Sequence, residues 1–241
     1  VRSSAASDVY KRQAYNGENV GKREEKCMKT NTDLFEKVPV PKAVATMAVP
    51  TMISMLVVVI YNMADTFFIG QTQDPLQVAA VSLATPVFMI FMALGNLFGI
   101  GGSSAISRAL GEKHKDRAWH ISSFCCYGAL GLGVIVAVCS VLGMEGILGL
   151  IGASENTIGF ARKYLLIISI GAPTILFSTA FANILRGEGA ARESMVGNLL
   201  GTIINIVLDP VMILMLGWGV TGAALATIIG NIAACLFYLQ Y

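Results

Sequence analysis

The chain has 241 residues, of which 55% are hydrophobic and only 13% are charged, and its mean hydropathy is +0.67. This composition excludes an ordinary soluble globular protein, and the apolar content also excludes a disordered chain. The formal net charge of +2 is too small to predict a nucleic-acid partner. The composition therefore indicates an integral membrane protein.

The first 42 residues form a polar segment that differs from the rest of the chain. They hold nine of the 17 Lys and Arg residues and six of the 15 Asp and Glu residues. Residues 1–27 lack the apolar region of a signal peptide, and we expect them to be foreign to the fold, with translation beginning at Met28. The predicted domains are a polar cytoplasmic leader over 1–42 and a membrane lobe over 43–241.

Six apolar blocks follow this leader, and each is long enough to cross a bilayer, which takes about 20 helical residues. Because the blocks are continuously apolar rather than alternating, they predict helices and not the strands of a barrel. The predicted fold is an all-α integral membrane protein with a six-transmembrane-helix bundle. The predicted spans are 43–69, 77–107, 119–143, 160–185, 193–216 and 219–241.

Basic residues between the spans predict the orientation of the bundle. If the leader lies inside, the segments on that side hold 15 Lys and Arg residues, whereas the outer segments hold only Arg162 and Lys163. This asymmetry follows the positive-inside rule. We therefore expect a multi-pass protein of the cell membrane with a cytoplasmic amino terminus.

Two acidic residues, Asp65 and Asp209, lie within spans, where an ionised side chain costs about 2.5–3.5 kcal/mol or more. By the helical rise of about 1.5 Å per residue, Asp65 lies roughly 8 Å and Asp209 roughly 12 Å inside the outer boundary. Asn205 lies one turn deeper on the same face as Asp209, and Thr227 lies at roughly 14 Å on the last span. Four oxygen-bearing side chains on three helices are thus expected at similar depth.

Such a group of oxygen ligands suits a hard monovalent cation, and a poorly solvated carboxylate pair also binds a proton well. The site could then exchange Na⁺ or H⁺ for an organic cation. The alternative is structural, with Asp65 capping a helix end near the interface and Asp209 hydrogen-bonding a neighbouring helix. Because buried acids in membrane spans are usually functional, the first interpretation is favoured.

Further polar and helix-breaking residues lie in the spans. Pro50 frees a backbone carbonyl in the first span and predicts either a hinge or a static kink. Asn96 and Asn183 each line a cavity or bridge two helices, and bridging is favoured. The five cysteines show no metal-ligand spacing, so neither a zinc site nor a resident cofactor is predicted.

Six short motifs are distinctive in combination. They are Pro39-Val40-Pro41-Lys42, Ala48-Val49-Pro50, Asn62-Met63-Ala64-Asp65-Thr66-Phe67-Phe68-Ile69-Gly70, Ser107-Arg108-Ala109-Leu110-Gly111, Leu185-Arg186-Gly187-Glu188-Gly189 and Asn205-Ile206-Val207-Leu208-Asp209-Pro210. Over residues 34–241 the chain resembles the amino-terminal half of multidrug and toxic compound extrusion (MATE) transporters, particularly their bacterial and archaeal DinF-like branch.

The resemblance implies a twelve-helix transporter with two six-helix lobes around a central cavity, which exports organic cations against an inward flow of Na⁺ or H⁺. It implies that Pro50 is the bend of the first helix. Because the second lobe is missing and the chain stops at Tyr241 inside an apolar block, we expect a fragment that does not transport alone. The residues implied to bind the coupling cation or substrate are Asp65, Asn183, Asn205, Asp209 and Thr227, and those implied to ligate Na⁺ in a sodium-coupled protein are Asp65, Asn205, Asp209 and Thr227.

Three functions are compatible with these features. The leading hypothesis is a cation-coupled multidrug antiporter whose partners are small organic cations, the coupling ion, the bilayer and the second lobe. A flippase of lipid-linked saccharides shares the architecture, but an anionic lipid would prefer a basic cavity to an acidic one. An intramembrane aspartyl protease is a remote alternative, because Asp65 and Asp209 lack the Gly-x-Gly-Asp context. We therefore expect a transporter and not an enzyme.

Overall fold

The computed structural model describes residues 39–72 and 74–240. The leader up to residue 38, with the expected translation start at Met28, lies outside the described residues. Within the described part the chain is helical and has no β-strand. The helices are α1 (Val40–Gly70), α2 (Pro75–Gly111), α3 (Lys115–Leu142), α4 (Met144–Leu150), α5 (Ile158–Ile170), α6 (Ala172–Gly187), α7 (Ala191–Asp209) and α8 (Val220–Gln240), with a π-helical turn at Pro210–Met215.

Five of the described helices are long and apolar enough to cross a membrane, counting α7 and the π-helical turn as one. A sixth span results if α5 and α6, which meet at an angle of 56°, are one broken helix. The predicted all-α membrane fold is confirmed, and each predicted block contains a helix. The fourth block is bent rather than straight, however, because Pro173 in the first turn of α6 has no N–H with which to continue the hydrogen bonds of α5.

The short helix α4 was not predicted as a separate element. Its residues are apolar, and the chain turns into it at Gly143, whose N–H donates to the carbonyl of Cys139 at 2.8 Å. Leu148 of α4 is buried in the main apolar cluster. Composition alone cannot separate this helix from the preceding span, because both are apolar.

Helix α6 lies at the centre of the lobe and packs against α2, α3, α7 and α8. Its buried side chains include Ile175, Leu176 and Ile184, which join apolar clusters with the neighbouring helices. Close approach requires glycine at the bend: a Cβ on Gly133 of α3 would lie 2.5 Å from the Cα of Pro173. Small residues at helix contacts are typical of membrane bundles.

Helices α7 and α8 touch backbone to backbone. A Cβ on Gly230 would lie 2.6 Å from the carbonyl oxygen of Gly201, and a Cβ on Gly201 would lie 2.8 Å from that of Gly230. Gly201 is one turn before Asn205, and Gly230 is three residues after Thr227. The glycine contact therefore holds the polar positions of the two helices side by side.

The amino-terminal end of α8 is tied to that of α2 by polar contacts. Gln77 accepts a hydrogen bond from the Val220 N–H at 3.1 Å and donates to Asp74 at 3.3 Å. Asp74 also caps α2 by accepting from the Leu76 N–H at 3.0 Å. These contacts fix the first turn of α8, which lies two turns before Thr227, against the start of α2.

Helix α1 buries only one narrow face. Most of its large apolar side chains are exposed, whereas Ser54, Asp65 and Ile69 are buried and Tyr61 is half-buried. The spacings of seven, four and four residues place these side chains on one side of the helix. We call Ser54, Tyr61, Asp65 and Ile69 the α1 stripe.

Candidate cation site

Asp65 on α1 and Asp209 at the end of α7 are both buried, with 9% and 0% of their surfaces exposed. One carboxylate oxygen of each, Oδ1, is enclosed and has no hydrogen-bond partner among the described residues. Both groups border the same interior region, because Tyr61, one turn before Asp65 on α1, contacts Thr227, and Asn205 connects Thr227 to Asp209. Because buried carboxylates are stable only when paired, protonated or bound to a cation, this arrangement fits a cation or proton site.

Asn205 and Thr227 complete the group on the α7–α8 side, and both are buried. In the orientation of the Asn205 amide that satisfies both of its ends, Nδ2 donates to Asp209 Oδ2 at 3.1 Å and Oδ1 accepts from the Thr227 N–H at 3.0 Å. The Thr227 hydroxyl donates to the carbonyl of Ala223 at 3.0 Å. We call Asp65, Asn205, Asp209 and Thr227 the carboxylate site.

The local structure around Asp209 follows from the proline that comes after it. Pro210 has no N–H, so it cannot continue the hydrogen-bond pattern of α7, which ends at Asp209. The chain then widens into the π-helical turn, a feature that is frequent at functional sites. Asp209 therefore stands at a break in the helix, where backbone groups and the carboxylate are both available.

Two tyrosines near the carboxylate site were not predicted from the sequence. The Tyr61 hydroxyl lies 3.3 Å from the Thr227 hydroxyl, within hydrogen-bonding distance. Tyr164 on α5 is buried in the neighbourhood of Asp65 and Asp209. The spacing of four residues between Tyr61 and Asp65 was a usable signal, because it places both on one helix face. For Tyr164 no local signal exists, because its proximity to the site depends on how α5 packs against the other helices.

Asn183, also predicted to line the cavity, lies in a second polar cluster. Its Nδ2 donates to Asn96 Oδ1 and to the carbonyl of Thr179, both at 2.9 Å, and its Oδ1 accepts from Arg186 at 3.2 Å. The contact with Asn96 is the favoured bridge between helices. Among the described residues these hydrogen bonds do not connect Asn183 to the carboxylate site, and its role in substrate binding stays a prediction.

Pro50 lies inside α1, which runs without interruption from Val40 to Gly70. Its position before the α1 stripe is compatible with the predicted hinge and with the static kink. The hinge role therefore stays a prediction. The described residues contain no cluster of His, Cys, Asp and Glu side chains that would hold a divalent metal.

A half-buried acid, Glu188, lies at the opposite end of the bundle, in the turn between α6 and α7. Burial raises the pKa of Glu188 from 4.5 to about 7. Arg186, in the last turn of α6, donates to Ser194 at 3.1 Å as well as to Asn183. Gly189 follows with a φ of 87°, a conformation that favours glycine. The turn thus holds a carboxyl group that titrates near neutral pH.

This pKa predicts a pH-dependent stability. Because the folded state binds the Glu188 proton more tightly than the unfolded state, stability falls as the pH rises from about 4.5 to about 7 and this loss is complete above that range. We expect Glu188→Gln to flatten this part of the melting-temperature profile of the full-length protein in detergent. Glu155→Gln, at an exposed position, serves as the control. An unchanged slope in Glu188→Gln would contradict the prediction.

The helical membrane fold and the buried carboxylates fit a membrane transport protein. Comparison with known proteins identifies the family: the MatE family profile matches residues 50–211. Over 207 residues the chain is 41% identical to the multidrug export protein MepA of Staphylococcus saprophyticus, covering 86% of this chain and 46% of that protein. The chain belongs to the MatE family of transporters, as the sequence motifs predicted.

Solved structures support the same assignment. An outward-facing multidrug resistance MATE family transporter is 36% identical with a TM-score of 0.79, and the match covers 83% of this chain and 44% of that one. A transporter of the MOP superfamily from Pyrococcus furiosus is 35% identical with a TM-score of 0.81, over 86% and 46% of the two chains. That structure is described as having a binding pocket of reverse polarity, which suggests a different function for it.

The chain spans about half the length of the curated relatives it matches. The fold is accordingly one lobe of the MATE architecture. These relatives are transporters and not enzymes, which confirms the expectation that the protein is not an enzyme and removes the intramembrane protease hypothesis.

Proposed function

We propose that the full-length protein is a secondary active multidrug exporter that moves organic cations outward in exchange for Na⁺ or H⁺ by alternating access. The observation that carries this proposal is the buried pair Asp65 and Asp209, each with one enclosed oxygen that lacks a hydrogen-bond partner among the described residues. The similarity to proteins described as multidrug exporters supports it.

The ligand chemistry of the carboxylate site suits exchange between two cations. The carboxylates of Asp65 and Asp209, the Asn205 amide and the Thr227 hydroxyl are hard oxygen ligands of the kind that Na⁺ prefers. The same carboxylates bind a proton when water is scarce. An organic cation competes for the same negative charge, so binding of the ion from outside favours release of the substrate.

The proposed exporter needs more than this lobe. A cation site in one lobe becomes part of a transport pathway only when a second lobe closes the cavity opposite it. The part of the relatives' length that this chain does not cover is expected to supply that second lobe. We also propose that the amino terminus is cytoplasmic and that the protein lies in the cell membrane, on the basis of the Lys and Arg distribution. No cofactor is proposed beyond the coupling ion.

The experiment is transport by the full-length protein in proteoliposomes. An imposed Na⁺ gradient or pH gradient is expected to drive the movement of ethidium, an organic cation, and dissipation of that gradient by an ionophore is expected to stop it. The gradient that works identifies the coupling ion. Movement of a fluorescent lipid-linked saccharide with neither gradient driving ethidium would overturn the proposal in favour of the flippase.

A further inference from the structure

Ser54 on α1 is an exception among the hydroxyl groups of that helix. Thr51 and Thr66 each donate to the carbonyl four residues earlier, at 2.9 Å in both cases. This local bond is the usual way in which a hydroxyl is satisfied in an apolar helix. The Ser54 hydroxyl makes no such bond, although it is only 2% exposed and its oxygen is enclosed.

Three enclosed side-chain oxygens without a partner occur among the described residues, on Ser54, Asp65 and Asp209. Two of them belong to the carboxylate site. The third lies on the α1 stripe with Asp65, eleven residues away, and therefore about 16 Å along the helix. Ser54 therefore shares with Asp65 both a helix face and an oxygen without a partner. A buried hydroxyl without a partner is unfavourable unless water or an ion binds it.

The depth of Ser54 relative to α8 follows from the contact of Tyr61 with Thr227. Ser54 lies about 10 Å from Tyr61 along α1, toward the end that carries the leader. The start of α8 lies beside the start of α2, which follows directly on the end of α1, so α1 and α8 run in opposite directions. The corresponding level on α8 therefore lies about seven residues beyond Thr227, near Ala234. Ala234 is small and buried, and Asn231, a polar half-buried residue, is one turn away.

We propose that Ser54 binds a water molecule or the hydrated coupling cation on the inner side of the carboxylate site, as a station on the route by which the ion leaves toward the cytoplasm. This inference rests on the proposed exporter function. Tyr61 stands between Ser54 and Asp65 on the α1 stripe, and its hydroxyl offers an intermediate polar contact. A buried water needs two to four polar partners. The Asn231 Nδ2 already donates to the carbonyl of Thr227 at 2.9 Å, so the Ser54 hydroxyl and the Asn231 side-chain oxygen would supply them.

The first test asks whether position 54 is accessible to water from the cytoplasmic side. In a full-length protein without other cysteines, Ser54→Cys is treated from the cytoplasmic side with a small cationic methanethiosulfonate reagent. The cysteine thiolate attacks the sulfenyl sulfur of the reagent, forms a mixed disulfide and displaces methanesulfinate. We expect it to react at least about tenfold faster than Ala84→Cys, an equally buried position in an apolar cluster. Na⁺ or low pH, whichever couples transport, is expected to slow the reaction at position 54 more than at position 84, where low pH acts only by protonating the thiolate. Equal rates at the two positions would overturn the inference.

The second test is kinetic and uses ethidium transport by the full-length protein in proteoliposomes. Ser54→Ala is expected to lower the maximal rate about fivefold or more, while the ion concentration that gives half of this rate from outside changes less than about twofold. Ser54→Thr should restore transport, because it returns a hydroxyl. Thr51→Ala, which removes a hydroxyl already bonded to its own helix, should match the wild type.

The outcomes separate the inference from the exporter proposal. Equal rates for Ser54→Ala, Thr51→Ala and the wild type, or a loss of ion affinity from outside alone, would overturn the role of Ser54 while the exporter proposal stands. Failure of the wild type to couple ethidium to either ion would overturn the exporter proposal. The cysteine experiment would still report whether position 54 is accessible to water.

Discussion

Asp209→Asn in the full-length protein is expected to weaken the apparent affinity for the coupling ion at least about 30-fold, because removing one partner of a buried charge interaction costs about 2–5 kcal/mol. The asparagine keeps the shape of the side chain and a polar contact with Asn205, but it offers the cation no charge. Ion-driven ethidium transport should therefore fall to the level of empty proteoliposomes at ordinary ion concentrations. The measurement is the initial rate of transport against ion concentration.

The control for this change is Asp116→Asn, at an exposed position on α3. It should leave transport unchanged. Asp209→Asn should also melt at a temperature no lower than that of the wild type, because it removes a buried charge. Wild-type ion dependence in Asp209→Asn would refute a coupling role for this carboxylate, and a large loss of thermal stability would assign it a structural role instead.

Gly230→Ala is expected to destabilise the lobe at the contact between α7 and α8. The new methyl group would lie 2.6 Å from the carbonyl oxygen of Gly201, a backbone atom that cannot rotate away. Overpacking of this kind costs about 1–3 kcal/mol, so the melting temperature of the full-length protein should fall by several degrees. The same displacement separates Asn205 from Thr227, and ion affinity should fall with it.

Gly101→Ala on α2 is the matched control for this prediction. Gly101 is also a glycine inside a long helix, but a Cβ there meets no atom within 4 Å. The alanine should be neutral or stabilise the helix by up to about 1 kcal/mol. Equal melting temperatures for the two variants would show that the α7–α8 contact is not limited by backbone approach.

The spans were predictable from the sequence because hydropathy alone determines which segments can lie in a bilayer. The breaks within them were not. The 56° bend between α5 and α6 and the π-helical turn after Asp209 both involve prolines, but a proline is compatible with a kink, a bend or a wide turn. Tertiary packing selects among these outcomes, and the glycine contact of Gly133 with Pro173 is an example.

The acidic members of the carboxylate site were predictable because ionisable residues are rare in apolar segments. Asn205 followed from its spacing to Asp209, and Thr227 from depth, and the structure brings these three together. Tyr61 and Tyr164 were missed, because tyrosine is common near membrane interfaces and carries no comparable signal. For Asn183, the sequence left cavity lining and helix bridging open, and the contact with Asn96 on another helix places it in a second polar cluster.

In the proposed exporter, a cation bound at the carboxylate site would also affect how the first helix packs on the lobe through the α1 stripe. Three of its four members carry polar groups, and Ile69 is the only apolar one. A cation shared by Asp65 and the residues of α7 would stabilise the packing of α1 against the lobe. Release of the cation would weaken that packing. The free energy of ion binding and the free energy of packing α1 on the lobe are then coupled. The ion should strengthen the packing by the same amount as the packing strengthens ion binding.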